Sequence, residues 1–202
     1  MVNIKLFVEG GGHNNHALRT QCRRAFVKLL QKAGFQGRMP RIIACGNRRA
    51  AFDQFRTTLE GPDPVSAVLL VDSESYANQG SPWDHVATRE DDKWAKPLGA
   101  EDEQLHFMVQ CMEAWFMADP EALEKYFGHG FRPKALPQNP QIEAITKSDL
   151  LSKLESASKA SSKGRYGKGR HSFDILAALE PEKIRQKSPW AKRFFSTLDQ
   201  LL

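Results

Sequence analysis

Cysteine and long apolar stretches are both scarce in this sequence of 202 residues. Cys22, Cys45 and Cys111 are far apart and lack the spacing of a structural zinc site, so they predict buried thiols in a reducing cytoplasm. No run of about 18 apolar residues is present, which argues against a transmembrane helix. Met1 leads into a strand-like segment rather than a signal peptide. We therefore expect a cytoplasmic protein without a membrane partner.

Two common phosphate-binding signatures are missing as well. Gly10, Gly11 and Gly12 follow the first strand-like segment, but neither G-x-G-x-x-G nor G-x-x-x-x-G-K-[ST] occurs, so dinucleotide-binding and P-loop functions are rejected. The hydrophobic content of 41% is enough for an ordinary folded core. A formal net charge of +5 suits a polyanionic partner.

The apolar pattern predicts an α/β fold with about four mainly parallel strands flanked by helices. Val65–Glu74 is a nearly continuous Val and Leu run, which is typical of a fully buried strand. Three further strands are predicted at Asn3–Val8, Arg41–Gly46 and Leu105–Met112, with helices at Arg48–Leu59, Asp84–Lys93, Glu121–Phe127, Lys147–Ser158, Phe173–Leu179, Pro181–Arg185 and Pro189–Leu202, and one after Asn14 or Asn15. We expect residues 1–128 to form the α/β part and residues 129–202 a helical extension packed on the same core.

Acidic residues stand at the carboxyl ends of three predicted strands: Glu9, then Asp72 with Glu74, then Glu113. Parallel strands place their ligands beyond these ends, so we expect the carboxylates to share one edge of the sheet. If the strand continues through Ser73, Asp72 and Glu74 point the same way. Oxygen-only ligation of this kind suits Mg²⁺ or Mn²⁺. The alternatives are that Asp72 and Glu74 begin a solvated loop and that Glu113 caps a helix.

The segments Phe-Val-Glu-Gly and Leu-Val-Asp-Ser-Glu together resemble the Toprim domain of topoisomerases, primases, maturation ribonucleases and overcoming-lysogenization-defect nucleases. That family has a Glu before a Gly at the end of one strand and a later Asp-x-Asp, from which Glu74 departs. The resemblance implies a Toprim/Rossmann-like sheet and a metal-dependent nuclease. Asp72 and Glu74 would hold one Mg²⁺ or Mn²⁺, with Glu9 reaching a metal or taking the proton from the attacking water. Glu113, or less favourably Asp119, would help to bind a second ion.

The stretch Met-Glu-Ala-Trp is similar to uncharacterised bacterial Toprim-like proteins associated with mobile elements and phage defence, some of them beside an ATPase. This similarity implies a defence or toxin-type effector with an ATPase as a further partner. Two other functions stay open: a non-catalytic module that binds nucleic acid or a partner, and a nucleotide phosphohydrolase. DNA and RNA are not distinguished, and the apolar positions of Pro189–Leu202 leave a homodimer open.

Basic residues are concentrated in two places. Between Lys147 and His171 there are seven Lys or Arg residues and two acidic residues. This Gly- and Ser-rich segment is a candidate for nucleic-acid contact or only a soluble loop, and its candidate residues are Lys163, Arg165, Lys168, Arg170 and His171. Lys168 would also neutralise charge on the phosphate, and Tyr166 would stack on a base.

The second basic group is Arg48 and Arg49, in the first turn of a predicted helix. They are candidates for phosphate contact or, equally, for pairing with Asp53 or Glu60.

Two histidines and two tryptophans complete the set of candidates. His13 and His16 could share a metal, but their position favours exposed first-turn residues. Trp83 and Trp94 lie in the polar insertion between the third and fourth strands, where we expect them to anchor the insertion rather than to stack on bases.

Overall fold

The computed structural model describes residues 4–12, 14–62 and 66–202. Within them, a four-stranded sheet has the order β2-β1-β3-β4, and every neighbouring pair is parallel. The strands are β1 Ile4–Gly11, β2 Arg41–Gly46, β3 Ser66–Asp72 and β4 Leu105–Met108. This parallel sheet confirms the predicted α/β class. The predicted strand residues Asn3 and Val65, and the candidate His13, lie outside the described residues.

The described helices flank the sheet and form the C-terminal region. They are α1 His16–Leu30, α2 Arg48–Leu59, α3 Pro82–Thr88, α4 Pro120–Phe127, α5 Lys147–Ser158, α6 Ser172–Ala178, α7 Pro181–Lys187 and α8 Pro189–Leu201. Asn15 caps α1, because its side chain accepts a hydrogen bond of 3.0 Å from the Leu18 amide. His16 is exposed at the first position of α1.

Both faces of the sheet are covered, which explains the continuous apolar runs of β1 and β3. Leu6, Val8 and Leu70 belong to one hydrophobic cluster, whereas Phe7 and Leu69 belong to the cluster on the opposite face. Burial of each such side chain contributes roughly 1.5–3 kcal/mol. The carboxyl edge of the sheet is thereby fixed to a rigid platform.

The C-terminal helices share a core with the sheet. Leu150 of α5, Ile175 of α6 and Phe194 of α8 are all fully buried in the cluster that also contains Leu6 and Phe26. Residues 129–202 therefore pack directly against the α/β part. None of the described helices is long and apolar enough to cross a membrane.

The insertion after β3 is anchored by its tryptophans, as expected. Trp94 stacks on Phe52 with ring centroids 4.3 Å apart, and Trp83 stacks on Phe55 at 6.1 Å. Both indoles are only 3% exposed, so neither can stack on a base. The helix predicted within the insertion begins at Pro82 and ends at Thr88, before the acidic run.

Candidate metal centre

Three carboxylates converge at the carboxyl edge of the sheet. β1 positions Glu9, β3 ends at Asp72, and Glu74 lies in the turn that follows. One carboxylate oxygen from each of the three lies within 4.8 Å of the other two. The predicted convergence of these acids is therefore present in the fold.

Glu74 reaches the cluster by a different route from the one expected. The strand ends at Asp72, and Glu74 has a positive φ of 65°, so strand alternation does not orient its side chain. The Glu74 amide donates a hydrogen bond of 2.8 Å to the Gln110 carbonyl, which fixes this turn against the segment after β4. Lys147 Nζ donates to Glu74 Oε2 at 2.6 Å, a partner that no local sequence pattern indicated.

Asp72 is the most enclosed member of the cluster, at 4% exposure. Its Oδ1 accepts a hydrogen bond of 2.8 Å from the Met112 amide, and its own amide donates to Glu9 Oε2 at 3.1 Å. Burial raises the pKa of Asp72 well above its ordinary range, and the nearby carboxylates of Glu9 and Glu113 raise it further. The carboxylates of Asp72, Glu9 and Glu113 are thus close enough in space to repel one another.

The pKa of Glu9 is also shifted by its surroundings. Burial raises its pKa, and the Glu74 carboxylate adds to the effect, although Arg48 and the hydrogen bond from the Asp72 amide oppose it. A carboxylate with a raised pKa is a better proton acceptor than a solvated one. Glu9 therefore has the chemistry of a general base as well as that of a metal ligand.

Glu113 lies beside the cluster and is completely buried. Its Oε1 accepts a hydrogen bond of 2.8 Å from the Tyr166 hydroxyl. Its Oε2 has no hydrogen-bond partner among the described residues and is 4.0 Å from Lys168 Nζ. A buried carboxylate oxygen that accepts no hydrogen bond is costly, so this atom is suited to a cation.

Glu113 does not cap the helix that follows it. That cap is Asp119, whose Oδ1 accepts from the Ala122 amide at 3.4 Å. Asp119 is also paired with Lys183 Nζ at 2.6 Å and with the Glu180 amide at 3.1 Å. The weaker expectation that Asp119 serves a second metal is therefore wrong, because its carboxylate joins α4 to α7.

Lys168 brings the basic segment to the carboxylates. Its Nζ lies 3.8 Å from Asp72 Oδ2, and the side chain is 56% exposed. Burial by itself would lower the pKa of Lys168, but the Glu113 and Asp72 carboxylates raise it above its ordinary value. The Lys168 amine therefore stays protonated and places a positive charge at the mouth of the site.

Two residues of the same segment, Tyr166 and His171, were expected to contact nucleic acid but are buried. Tyr166 is 3% exposed and bonded to Glu113, so it does not stack on a base. His171 is also 3% exposed, and its Nδ1 accepts from the Gly167 amide at 3.0 Å. The ring of His171 thus closes the loop instead of facing nucleic acid. Lys163, Arg165 and Arg170 are exposed, which leaves them accessible to a phosphate.

The tandem arginines have separate roles. Arg48 donates to both oxygens of Asp92 at 2.7–3.1 Å and to the Asp72 carbonyl, while its guanidinium carbon lies 4.6 Å from the Trp94 ring centroid. Arg48 therefore fastens the insertion to the site, which corrects the expectation that it is available to a phosphate. Arg49 is exposed and pairs with Asp53 at 3.1 Å, one of the expected alternatives.

A cleft of about 330 Å³ opens beside these groups. Its lining includes Glu9, Asp72 and Lys168, the glycines at the end of β1 and directly after it, and the apolar side chains of Leu18, Met112 and Phe173. Gly11 has φ +93°, and a Cβ there would lie 2.6 Å from the Arg19 Cα. Glycine is therefore needed for β1 to turn closely into α1 and leave the cleft open.

The donor set fits Mg²⁺ or Mn²⁺. All the candidate ligand atoms are carboxylate oxygens, three of them are mutually close, and the Glu113 Oε2 beside them lacks a hydrogen-bond partner among the described residues. Glu9, Asp72 and Glu74 would hold the first ion. Glu113 stands where it could serve a neighbouring one.

Comparison with known proteins assigns the chain to a family. Neither a curated protein nor a solved structure matches it. One family model, described as a domain of unknown function (DUF4276), matches residues 8–199 and so spans both the sheet and the C-terminal helices. The chain belongs to the DUF4276 family.

Proposed function

We propose that this chain is a divalent-metal-dependent phosphodiesterase that cuts nucleic acid. The observation that carries the proposal is the convergence of Glu9, Asp72 and Glu74, whose carboxylate oxygens lie within 4.8 Å of one another. Lys168 stands 3.8 Å from Asp72, so a fixed cation faces the same cleft. The resemblance of the first and third strand ends to the Toprim pattern supports the same chemistry.

The metal and the protein have distinct tasks. A divalent cation held by Glu9, Asp72 and Glu74 would polarise a phosphoryl oxygen and lower the pKa of a bound water. Glu9 accepts a proton from the attacking water through a carboxylate oxygen that does not bind the ion. Lys168 stabilises the negative charge that develops on the phosphate oxygens.

The reaction is a hydrolysis that needs no other co-reactant. The water oxygen forms a bond to phosphorus as its proton passes to Glu9, the bond from phosphorus to the leaving sugar oxygen breaks, and the leaving oxygen takes up a proton from solvent water. Asp72 stays fixed throughout by the Met112 amide, and Glu113 by the Tyr166 hydroxyl. These hydrogen bonds keep the carboxylates in place without rearrangement during the reaction.

A second candidate function is hydrolysis of free nucleotides. It is favoured by the cleft, whose volume of about 330 Å³ and apolar wall of Leu18, Met112 and Phe173 suit a single nucleotide. The same carboxylates and Lys168 would act on its phosphates. The two functions differ in whether a polymer is cut.

The test is a cleavage assay on transfer RNA, single-stranded DNA, plasmid and free nucleotides, each with Mg²⁺, Mn²⁺ or EDTA. We expect metal-dependent cutting of a polymer that is lost in Glu9→Gln and Asp72→Asn, which remove charge but keep shape. Glu155→Gln, an exposed change on α5, is the matched control and should retain activity. Hydrolysis of nucleotides alone would support the second function, and no hydrolysis at all would overturn both.

A further inference from the structure

A basic groove between α1 and α6 borders the candidate cleft. Phe173, at the start of α6, lines both the cleft and this second cavity of about 520 Å³. The groove follows the exposed face of α1 away from the carboxylates. A ligand bound at the cleft therefore has a route along this helix.

The walls and floor of the groove have different chemistry. Arg23, Arg24 and Lys28 form its cationic wall, and all three are exposed without an ion pair to any described residue. Ala25, Val27, Phe173 and Ala177 supply apolar surface beneath them. This arrangement suits a strand of nucleic acid, because its phosphates would contact the cations and its bases would contact the apolar surface.

Charge in the groove is strongly positive. Among its described lining residues, Asp174 is the single acid, and it interacts with the Tyr126 hydroxyl. Arg24 and Lys28 are four positions apart and so lie on one face of α1. From Gln21 in α1 to Gln31, the residue just after this helix, the chain rises about 15 Å, which is the length of about four stacked nucleotides at roughly 3.4 Å each.

Because the carboxylates are buried, a flexible single strand of nucleic acid fits the site better than a stiff duplex. Asp72 is 4% exposed and Glu113 is 0% exposed, so the reacting phosphate has to enter a recess. A duplex is stiff over about 150 base pairs and cannot bend one of its phosphates into such a recess without deformation. A single strand has no such restriction.

We infer that the α1–α6 groove holds single-stranded nucleic acid on one side of the phosphate that is cut, with Arg23, Arg24 and Lys28 contacting its backbone. This inference rests on the proposed function and adds its substrate class and binding path. These three residues lie outside the basic segments that the sequence singled out, because their spacing is that of an ordinary solvated helix face.

The experiment measures binding without cleavage. Fluorescent single-stranded and duplex oligonucleotides of one sequence are titrated with the full chain in EDTA, and anisotropy is recorded at several salt concentrations. The test variant is Arg24→Gln with Lys28→Gln. The matched variant is Lys134→Gln with Lys187→Gln, which removes equal charge from a separate groove beside the proline-rich loop.

We expect the single strand to bind more tightly than the duplex. The test variant should weaken this binding at least tenfold. It should also reduce the slope of log K against log salt concentration by about 1.4. Each phosphate that the protein neutralises contributes about 0.7 to this slope, and the variant neutralises two fewer. The matched variant should change binding less than twofold. Equal weakening by both variants, or tighter duplex binding, would overturn the groove assignment.

Failure of this inference is distinguishable from failure of the proposed function. A chain that cuts nucleic acid but binds equally well in the Arg24→Gln, Lys28→Gln variant would refute the groove and keep the nuclease. A chain that binds single strands through the groove but shows no metal-dependent cutting would keep the groove and refute the nuclease. Weakening by Arg19→Gln with Arg41→Gln instead would place the strand along the edge of β2 and overturn the α1–α6 path.

Discussion

The Tyr166 hydroxyl donates a hydrogen bond of 2.8 Å to Glu113 Oε1, joining residues 53 positions apart. The same C-terminal segment supplies Lys168, which lies 3.8 Å from Asp72 Oδ2. The segment is thus part of the wall of the carboxylate site. Residues 129–202 therefore contribute side chains to the carboxylate cluster that the strands position.

Tyr166→Phe should damage the site more than the fold. The substitution removes the hydrogen bond to the buried Glu113 carboxylate and the one shared with the Ser172 hydroxyl, so we expect the free energy of unfolding to fall by about 1–3 kcal/mol. Loss of the hydroxyl that orients Glu113, the proposed ligand of a second ion, should also lower the cleavage rate about tenfold. Urea unfolding and single-turnover cleavage measure the two effects. Tyr126→Phe, at a hydroxyl next to Asp174, is the comparison; unchanged cleavage in Tyr166→Phe would give Tyr166 a purely structural role.

Lys147→Gln should tighten metal binding. Lys147 Nζ lies 2.6 Å from Glu74 Oε2 and repels a cation that shares this carboxylate. Removing roughly 1 kcal/mol of repulsion would lower the Kd for Mn²⁺ about fivefold. Calorimetry with Lys153→Gln, an exposed lysine of the same helix, controls for net charge. Weaker or equal binding in Lys147→Gln would show that Glu74 does not hold the ion.

Asp72→Asn should change how stability depends on pH in the metal-free chain. The folded-state pKa of Asp72 is raised above its ordinary 3.8, so its contribution to stability is present below that value and is lost as pH rises through the raised pKa. Asparagine does not ionise and avoids this loss. In EDTA near pH 7 the variant should therefore be more stable than the wild type, and the difference should shrink toward pH 4.

Urea unfolding across that pH range is the measurement, and Glu155→Gln, at an exposed position, should follow the wild type. If the free energy of unfolding fell in parallel for the wild type and Asp72→Asn as pH rises, repulsion between Asp72 and its neighbouring carboxylates would be contradicted. Addition of Mn²⁺ should reverse the order of stability, because a cation that binds only the folded wild type stabilises it.

The adjacent arginines give a matched pair of stability predictions. Arg48→Gln should cost about 2–3 kcal/mol, because its bonds to Asp92 and to the Asp72 carbonyl are largely enclosed. Arg49→Gln should cost less than about 0.5 kcal/mol, since its pair with Asp53 is an exposed i,i+4 contact. Equal costs in urea unfolding would show that Arg48 does not fasten the insertion.

The parts of this fold that sequence patterns predicted are those set by local chemistry. β2 occupies Arg41–Gly46 and α2 occupies Arg48–Leu59 as expected, because an apolar run and an amphipathic helix are bounded there by clear turn residues. Glu9 and Asp72 were located because an acid directly follows an apolar run, and parallel strands bring such ends together.

The parts that were missed depend on long-range contacts. β4 ends at Met108, four residues earlier than expected, because the chain turns to place the Met112 amide on Asp72. Lys147 reaches Glu74 across 73 positions, and no periodic pattern carries that information. Tyr166 was expected on the surface because its neighbours are Gly, Lys and Arg, yet its ring is buried and its hydroxyl donates to the Glu113 carboxylate.

The metal centre is tested most simply by calorimetric titration of Mn²⁺ into the wild type, Glu9→Gln, Asp72→Asn and the control Glu155→Gln. We expect saturable binding to the wild type and to the control, weakened at least tenfold in Glu9→Gln and Asp72→Asn, because each removes a charged ligand from the cluster. Absence of binding to the wild type, or equal binding to all four proteins, would contradict a metal centre at this edge of the sheet.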